Sequence, residues 1–128
     1  MSPYPEIAET YTYLAEELNK LGIVYLHLVD HSDMGAPEVP SEIKGIIRTR
    51  FKNTLILSGG YDREKAEAEI ENCQADLIAF GRPFINNPDL LKRMLNHWPL
   101  SHDLKKDQFY SANAIGYTDY PVYKTSNP

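Results

Sequence analysis

Two glycine-bearing turns carry the most specific chemistry in this chain: Ser58-Gly59-Gly60 and Phe80-Gly81-Arg82. Each ends a short apolar run of strand character and precedes a segment with helical spacing. Glycine lets the backbone approach an anion closely. Free N–H groups at a turn and helix start point toward the anion, and an arginine adds a fixed positive charge. The pair therefore reads as a phosphate grip. The plainer alternative is three tight-turn glycines and a surface arginine. The G-x-G-x-x-G fingerprint and the Walker lysine are both missing, so the common nucleotide motifs do not apply. No His, Cys or carboxylate spacing suggests a metal site.

Other reactive residue types read as structural. Cys73 is the single cysteine. Its place late in a predicted helix makes it a half-buried structural thiol rather than a nucleophile. His27 lies in a strand whose alternation sets Tyr25, His27 and Val29 on one face and Val24, Leu26 and Leu28 on the other. It is expected to be a hydrogen-bonded core histidine rather than a proton donor. His31 and Asp33 fall in the next loop, where they shape access or are solvated. Phe109 and Tyr110, taken as residues alone, read as packing of an aromatic tail.

The elements that must position these groups alternate. Ile7, Tyr11, Leu14, Leu18 and Leu21 predict a helix over 5–21, stopped by Gly22. A buried strand is expected at 23–29 and a loop at 30–40. Ser41 reads as the N-cap of a helix with Ile43, Ile46 and Ile47 inward. A strand at 54–57 leads to a helix capped by Asp62 and running to about residue 72, with Ala66 and Ile70 inward. A third strand spans 76–80. Asn87 and Pro88 read as the N-cap and first residue of a last helix with Leu90, Leu91, Met94 and Leu95 as its apolar face. From Pro99 onward the chain is irregular and tyrosine-rich. This is an α/β parallel pattern. Three parallel strands leave two open apolar edges, whereas doubly wound domains have five or six strands and a (β/α)₈ barrel eight. The chain thus reads as a piece of a larger fold.

Composition bounds the partners. A formal net charge of −5 argues against nucleic acid or an anionic membrane surface. No apolar run is long enough to span a bilayer, and the first five residues are no signal peptide. A single cysteine excludes an internal disulfide and suits a reducing cytoplasm.

Four stretches extend the argument: YLAEELNKLGIVYLHLVD (13–30), LSGGYDREKAE (57–67), DLIAFGRPFINNPDLLKRM (76–94) and FYSANAIGYTDYP (109–121). Together they closely resemble the C-terminal part of the Old Yellow Enzyme family of flavin-dependent ene-reductases, most of all its N-ethylmaleimide reductase and xenobiotic reductase branch. The resemblance implies that residues 1–128 are the C-terminal portion of one FMN-binding (β/α)₈ TIM-barrel domain. They would supply strands six to eight with flanking helices and tail, incomplete as a barrel without the N-terminal strands. It implies non-covalent FMN at the barrel mouth, with backbone groups of Ser58, Gly59, Gly60, Gly81 and Arg82 around the flavin phosphate. Phe109 would lie beside the flavin ring, Tyr110 would line the substrate pocket, and residues 117–120 would close the end of the domain.

The implied reaction is hydride transfer from NAD(P)H to FMN and then to the β-carbon of an activated alkene. In the family, the substrate-clamping His/His or His/Asn pair, the proton-donating tyrosine and further flavin contacts come from earlier strands not represented in this sequence. No catalytic residue is therefore assigned, and the chain alone is expected to be inactive. Three readings compete: part of an FMN-dependent NAD(P)H:alkene oxidoreductase, a non-catalytic half-barrel that pairs with another chain, and a complete small nucleotide-binding protein. The missing fingerprint disfavours the third. Open strand edges predict self-association or pairing with an N-terminal half-barrel.

Overall fold

The computed structural model describes residues 5–103, 109–110 and 114–124. They fall into two compact units, 1–79 and 80–128. The first contains α1 (Ile7–Lys20), β1 (Tyr25–Val29), a 3₁₀ turn at Ser32–Met34, α2 (Ser41–Arg50), β2 (Thr54–Ser58), α3 (Arg63–Glu71) and β3 (Leu77–Ala79). The strands form one parallel sheet in the order β1-β2-β3, with Leu28 beside Leu57 and Leu57 beside Ile78. This is a partial β/α sheet, as expected of an incomplete barrel.

The two faces of that sheet differ. Leu55 and Leu57 are fully covered and cluster with Ile43 and Ile47 of α2 and with Ala75; Leu26, Leu28 and Ile78 pack against the same core. The opposite face carries Tyr25, His27 and Val29 of β1, Ile56 and Ser58 of β2, and Leu77 of β3. Tyr25, His27, Val29 and Leu77 on it are exposed. The expectation of a strand buried on both faces at 23–29 is thus corrected for β1: one face only is covered within this unit.

Helix faces also depart from the sequence pattern. In α1 the core-facing residues are Ile7, Ala8, Tyr11 and Ala15, while Leu14 and Leu21 are exposed. Small alanines admit close helix packing, which hydrophobicity alone does not register. Gly22, at φ +69°, ends the helix as expected, with its N–H donating to the Asn19 carbonyl and that of Ile23 to Leu18. Pro40, not Ser41, is the N-cap of α2, and Ser41 is its first residue. Asp62 caps α3 as expected, accepting the Lys65 N–H at 2.8 Å. Ile70 is exposed rather than inward, and Cys73 is an exposed residue at φ +56° just past the helix end, not a half-buried helical thiol.

The second unit opens with α4 (Arg82–Asn86), which the sequence reading missed, followed by α5 (Leu90–Leu95). Asn87 is not the N-cap of the last helix but the C-cap of α4. Its buried amide donates to the Pro83 and Ser101 carbonyls and accepts the Ser101 N–H, while Asp89 is the N-cap of α5. The covered face of α5 is Leu90 and Arg93; Leu91 and Leu95 are exposed. Arg93 is buried by pairing: Nε meets Asp89 Oδ1 at 2.7 Å, and its two terminal nitrogens donate to the Pro99 and Pro121 carbonyls. Asp89 also accepts the Tyr123 N–H, and Trp98 stacks on Tyr123 at 4.9 Å. One guanidinium thus ties the tail at Pro99 and at Pro121 to α5.

Leu55 sits at the centre of the first unit's core with no exposed surface. Truncation by Leu55→Ala is expected to cost about 2–5 kcal/mol in urea unfolding; a loss under about 1 kcal/mol would show the core to be loosely packed.

Candidate functional site

The first glycine turn is built around Asp30, the residue after β1. Its N–H donates to the Ser58 carbonyl at 2.9 Å, extending the β1–β2 ladder by one bond. Gly59 follows at φ +106°, and a Cβ placed on it would overlap the Asp30 carbonyl oxygen. Only glycine fits there, on conformational and on steric grounds. Gly60, at φ +65°, has open space where a side chain would stand, so its backbone is bare on that side. The Gly59-Gly60 stretch is therefore a fixed turn with an approachable backbone, which fits an anion such as a flavin phosphate.

The Asp30 side chain holds the other side. Its carboxylate is buried, accepting the Ser32 N–H at 2.9 Å and the Val39 N–H at 3.2 Å and meeting Lys44 Nζ at 3.3 Å. Burial by itself would push this carboxyl up. The Ser32 and Val39 amides and Lys44 outweigh it, and the net position is below the ordinary carboxylate value. Downstream, Tyr61 is pushed up to about 12 by burial and by Glu69, whose Oε1 it reaches at 3.3 Å. It stays neutral beside the turn.

Ser58 contributes its backbone to the ladder and its side chain elsewhere. His27 Nε2 lies 2.9 Å from Ser58 Oγ across the open sheet face. The expected core histidine is hydrogen-bonded, but it is exposed in this unit rather than buried. His31 and Asp33 lie exposed at the 3₁₀ turn. At the other end of the sheet Asp76 accepts the Leu55 N–H at 2.8 Å and Arg48 Nη1 at 2.7 Å, fixing where β3 starts; those two bonds hold its carboxyl low.

Gly81, Arg82, Phe109 and Tyr110 belong to the second unit. Gly81 is the N-cap of α4 with φ −93° and has open space where a side chain would stand. Neither its own φ nor a described neighbour demands glycine. Arg82, the first residue of α4, is half-buried. Phe109 lines a cavity of about 280 Å³ with Phe84, Ile85, Pro88 and Tyr117, whereas Tyr110 is almost fully exposed. In the tail the Gly116 N–H donates to Asp119 Oδ1 at 2.7 Å, making a local turn. Among the described residues no cluster could hold a metal ion, and no helix is long and apolar enough to cross a membrane.

The profile of the NADH:flavin oxidoreductase / NADH oxidase family matches residues 3–101. The chain belongs to that family. FMN, with NAD(P)H as its reductant, is the family's cofactor. A 12-oxophytodienoate reductase-like protein of Solanum lycopersicum is 41% identical over 117 residues, which is 91% of this chain and 31% of that protein. The 12-oxophytodienoate reductase 2 of Arabidopsis thaliana is 37% identical over 116 residues, 89% of this chain and 31% of that one. A solved morphinone reductase matches at TM-score 0.82 and 37% identity over 96% of this chain and 32% of its own. The old yellow enzyme from Trypanosoma cruzi matches at TM-score 0.79 and 30% identity, covering 94% of this chain and 31% of its own. The chain thus spans about a third of the length of these relatives.

Asp30 gives the site a pH signature. Its folded-state carboxyl titrates below the unfolded value, so its stabilisation is complete above about pH 4 and is lost as pH falls through the lowered folded value. Asp30→Asn is expected to reduce stability at pH 7 by about 1–3 kcal/mol and to flatten the acid limb of a urea-stability profile. An unchanged acid limb would show that Asp30 does not carry it.

Proposed function

We propose that this chain is the C-terminal part of an FMN-dependent NAD(P)H:alkene oxidoreductase, supplying strands six to eight of a TIM barrel and the loops that bind the FMN phosphate. The N-ethylmaleimide reductase and xenobiotic reductase branch is the finer placement within that proposal. The observation that carries it is the turn at Ser58-Gly59-Gly60, whose geometry requires glycine and leaves Gly60 backbone open in a chain of this family. In this reading backbone groups of Ser58, Gly59 and Gly60 hold the phosphate from the first unit. Gly81 and the Arg82 guanidinium serve the same group from the second. Phe109 packs beside the flavin ring, and Tyr110 lines the substrate pocket. When bound, FMN would supply the hydride chemistry that reduces an activated C=C bond.

The chain's own residues do the holding. The Asp30 N–H and carbonyl fix the turn, the Arg93 guanidinium anchors the tail that carries Phe109 and Tyr110, and no residue here is assigned a proton transfer. The exposed sheet face of Tyr25, His27, Val29 and Leu77 corresponds, in this reading, to the barrel interior, which side chains from the remaining strands normally fill. Its partner is the rest of the barrel, with self-association the alternative. Residues 1–128 form part of one domain in that assembly, and the cytoplasm is the compartment proposed.

Titrated alone, the chain is expected to quench FMN fluorescence weakly, well short of stoichiometric binding. Co-expressed with a polypeptide supplying strands one to five, it should yield a flavin-coloured complex that reduces an enone with NADPH. A complex that remains colourless and inactive would leave the half-barrel as a non-catalytic module; tight stoichiometric FMN binding by the chain alone would contradict the partial-site reading.

A further inference from the structure

We infer that His27 is a positioning residue for the anion turn: through its bond to the Ser58 hydroxyl, the imidazole decides whether that hydroxyl is free to donate to a phosphate or sulfate group at Gly59-Gly60. The inference rests on the phosphate-binding role proposed for the turn.

Three observations carry it. His27 Nε2 and Ser58 Oγ are 2.9 Å apart across adjacent parallel strands. His27 registers with Ile56, so the bond reaches two residues further along β2 to its last residue, directly before Gly59. The Ser58 carbonyl is already occupied by the Asp30 N–H, so the hydroxyl is the part of this residue still able to change partners.

A hydroxyl has one proton to donate and two lone pairs. When Nε2 of a neutral imidazole lacks a proton, Ser58 spends its O–H on that nitrogen. When Nε2 carries the proton, the imidazole donates and the Ser58 O–H turns elsewhere. The imidazolium can only donate, so protonation forces the second arrangement and adds a positive charge to the same face.

Among the described residues, the ionisable side chains at the 3₁₀ turn after β1 are the exposed His31 and Asp33. On the same sheet face β1 presents Tyr25 and Val29, β2 presents Thr54 and Ile56, and β3 presents Leu77 and Ala79; of these, Tyr25 alone ionises. The Asp30 carboxylate is engaged by Ser32, Val39 and Lys44. Asp62, beyond the turn, caps α3 through the Lys65 N–H and lies 3.7 Å from Lys65 Nζ. The His27–Ser58 bond is thus the described link on this face between an ionisable ring and the residue directly before Gly59.

The test uses inorganic sulfate as the probe, because its charge stays constant over the range in which imidazoles titrate. In the ¹⁵N-labelled chain, sulfate titrations are followed at the Gly59 and Gly60 amides and at the His27 ring nitrogens. Wild type is expected to bind about fivefold tighter once the imidazole is protonated. His27→Gln keeps a hydrogen-bonding group that carries no proton-dependent charge and should abolish that pH dependence, whereas Ser58→Ala, which leaves the imidazolium charge in place, should reduce it. In wild type, sulfate should also shift the His27 ring nitrogens, a readout that requires no variant to fold.

Glycine amides that respond to sulfate while the His27 ring does not, or a pH dependence that survives His27→Gln or is undiminished by Ser58→Ala, would overturn the inference and spare the turn's proposed role. Glycine amides that respond at no pH would remove both.

Discussion

One close approach organises the first unit. The Asp30 carbonyl occupies the space where a side chain on Gly59 would stand, and the Asp30 N–H closes one more rung onto Ser58. The end of β1, the end of β2 and the glycine turn are therefore a single rigid corner. The buried Asp30 carboxylate ties the same corner to the loop at Ser32 and Val39 and to α2 through Lys44. Such a carboxylate has to be satisfied on all sides, because an unpaired buried charge costs several kcal/mol or more. The site's geometry thus follows from backbone sterics and one fully engaged acid, before any ligand is considered.

The asymmetry of the sheet is the second constraint. Leu55 and Leu57 pack toward the helices with almost no exposure, whereas more than half of the Tyr25 and Leu77 surface is open on the other face. Parallel sheets are normally covered on both sides. The chain spans about a third of its relatives' length and leaves one sheet face bare; in the proposed function that face meets the rest of a barrel. The His27–Ser58 bond lies on that bare face, linking what would be the barrel interior to the turn at its mouth.

Much of this was legible in the sequence. Period-two and helical spacing located α1, α2, α3 and all three strands, and the Asp62 cap was readable because a short acceptor before a helix has one efficient use. Gly59 was readable as a turn glycine, but not the reason it must be glycine, since the contact comes from Asp30, 29 residues earlier by numbering. The face of α5 was misread because Arg93 looks like a surface residue until Asp89 and the Pro99 and Pro121 carbonyls satisfy it. Asn87 was misread for the same kind of reason: its amide serves Pro83 and Ser101, partners that spacing does not reveal. Cys73 falls two residues past the end of α3 and is itself in the left-handed region, a boundary effect that periodicity does not resolve. Local rules therefore recovered most elements and the Asp62 cap, and failed at the Ser41 cap, at α4 and where a polar side chain answers to a distant backbone.

The most direct test of the Asp30–Gly59 corner compares two neighbouring alanine substitutions by urea unfolding. Gly59 and Gly60 both have positive φ, but Gly59 alone of the two meets the Asp30 carbonyl. Gly60→Ala is expected to cost about 1–2 kcal/mol, from backbone strain alone. Gly59→Ala is expected to cost at least about 3 kcal/mol, because the corner must open as well. Equal costs at the two positions would contradict the account.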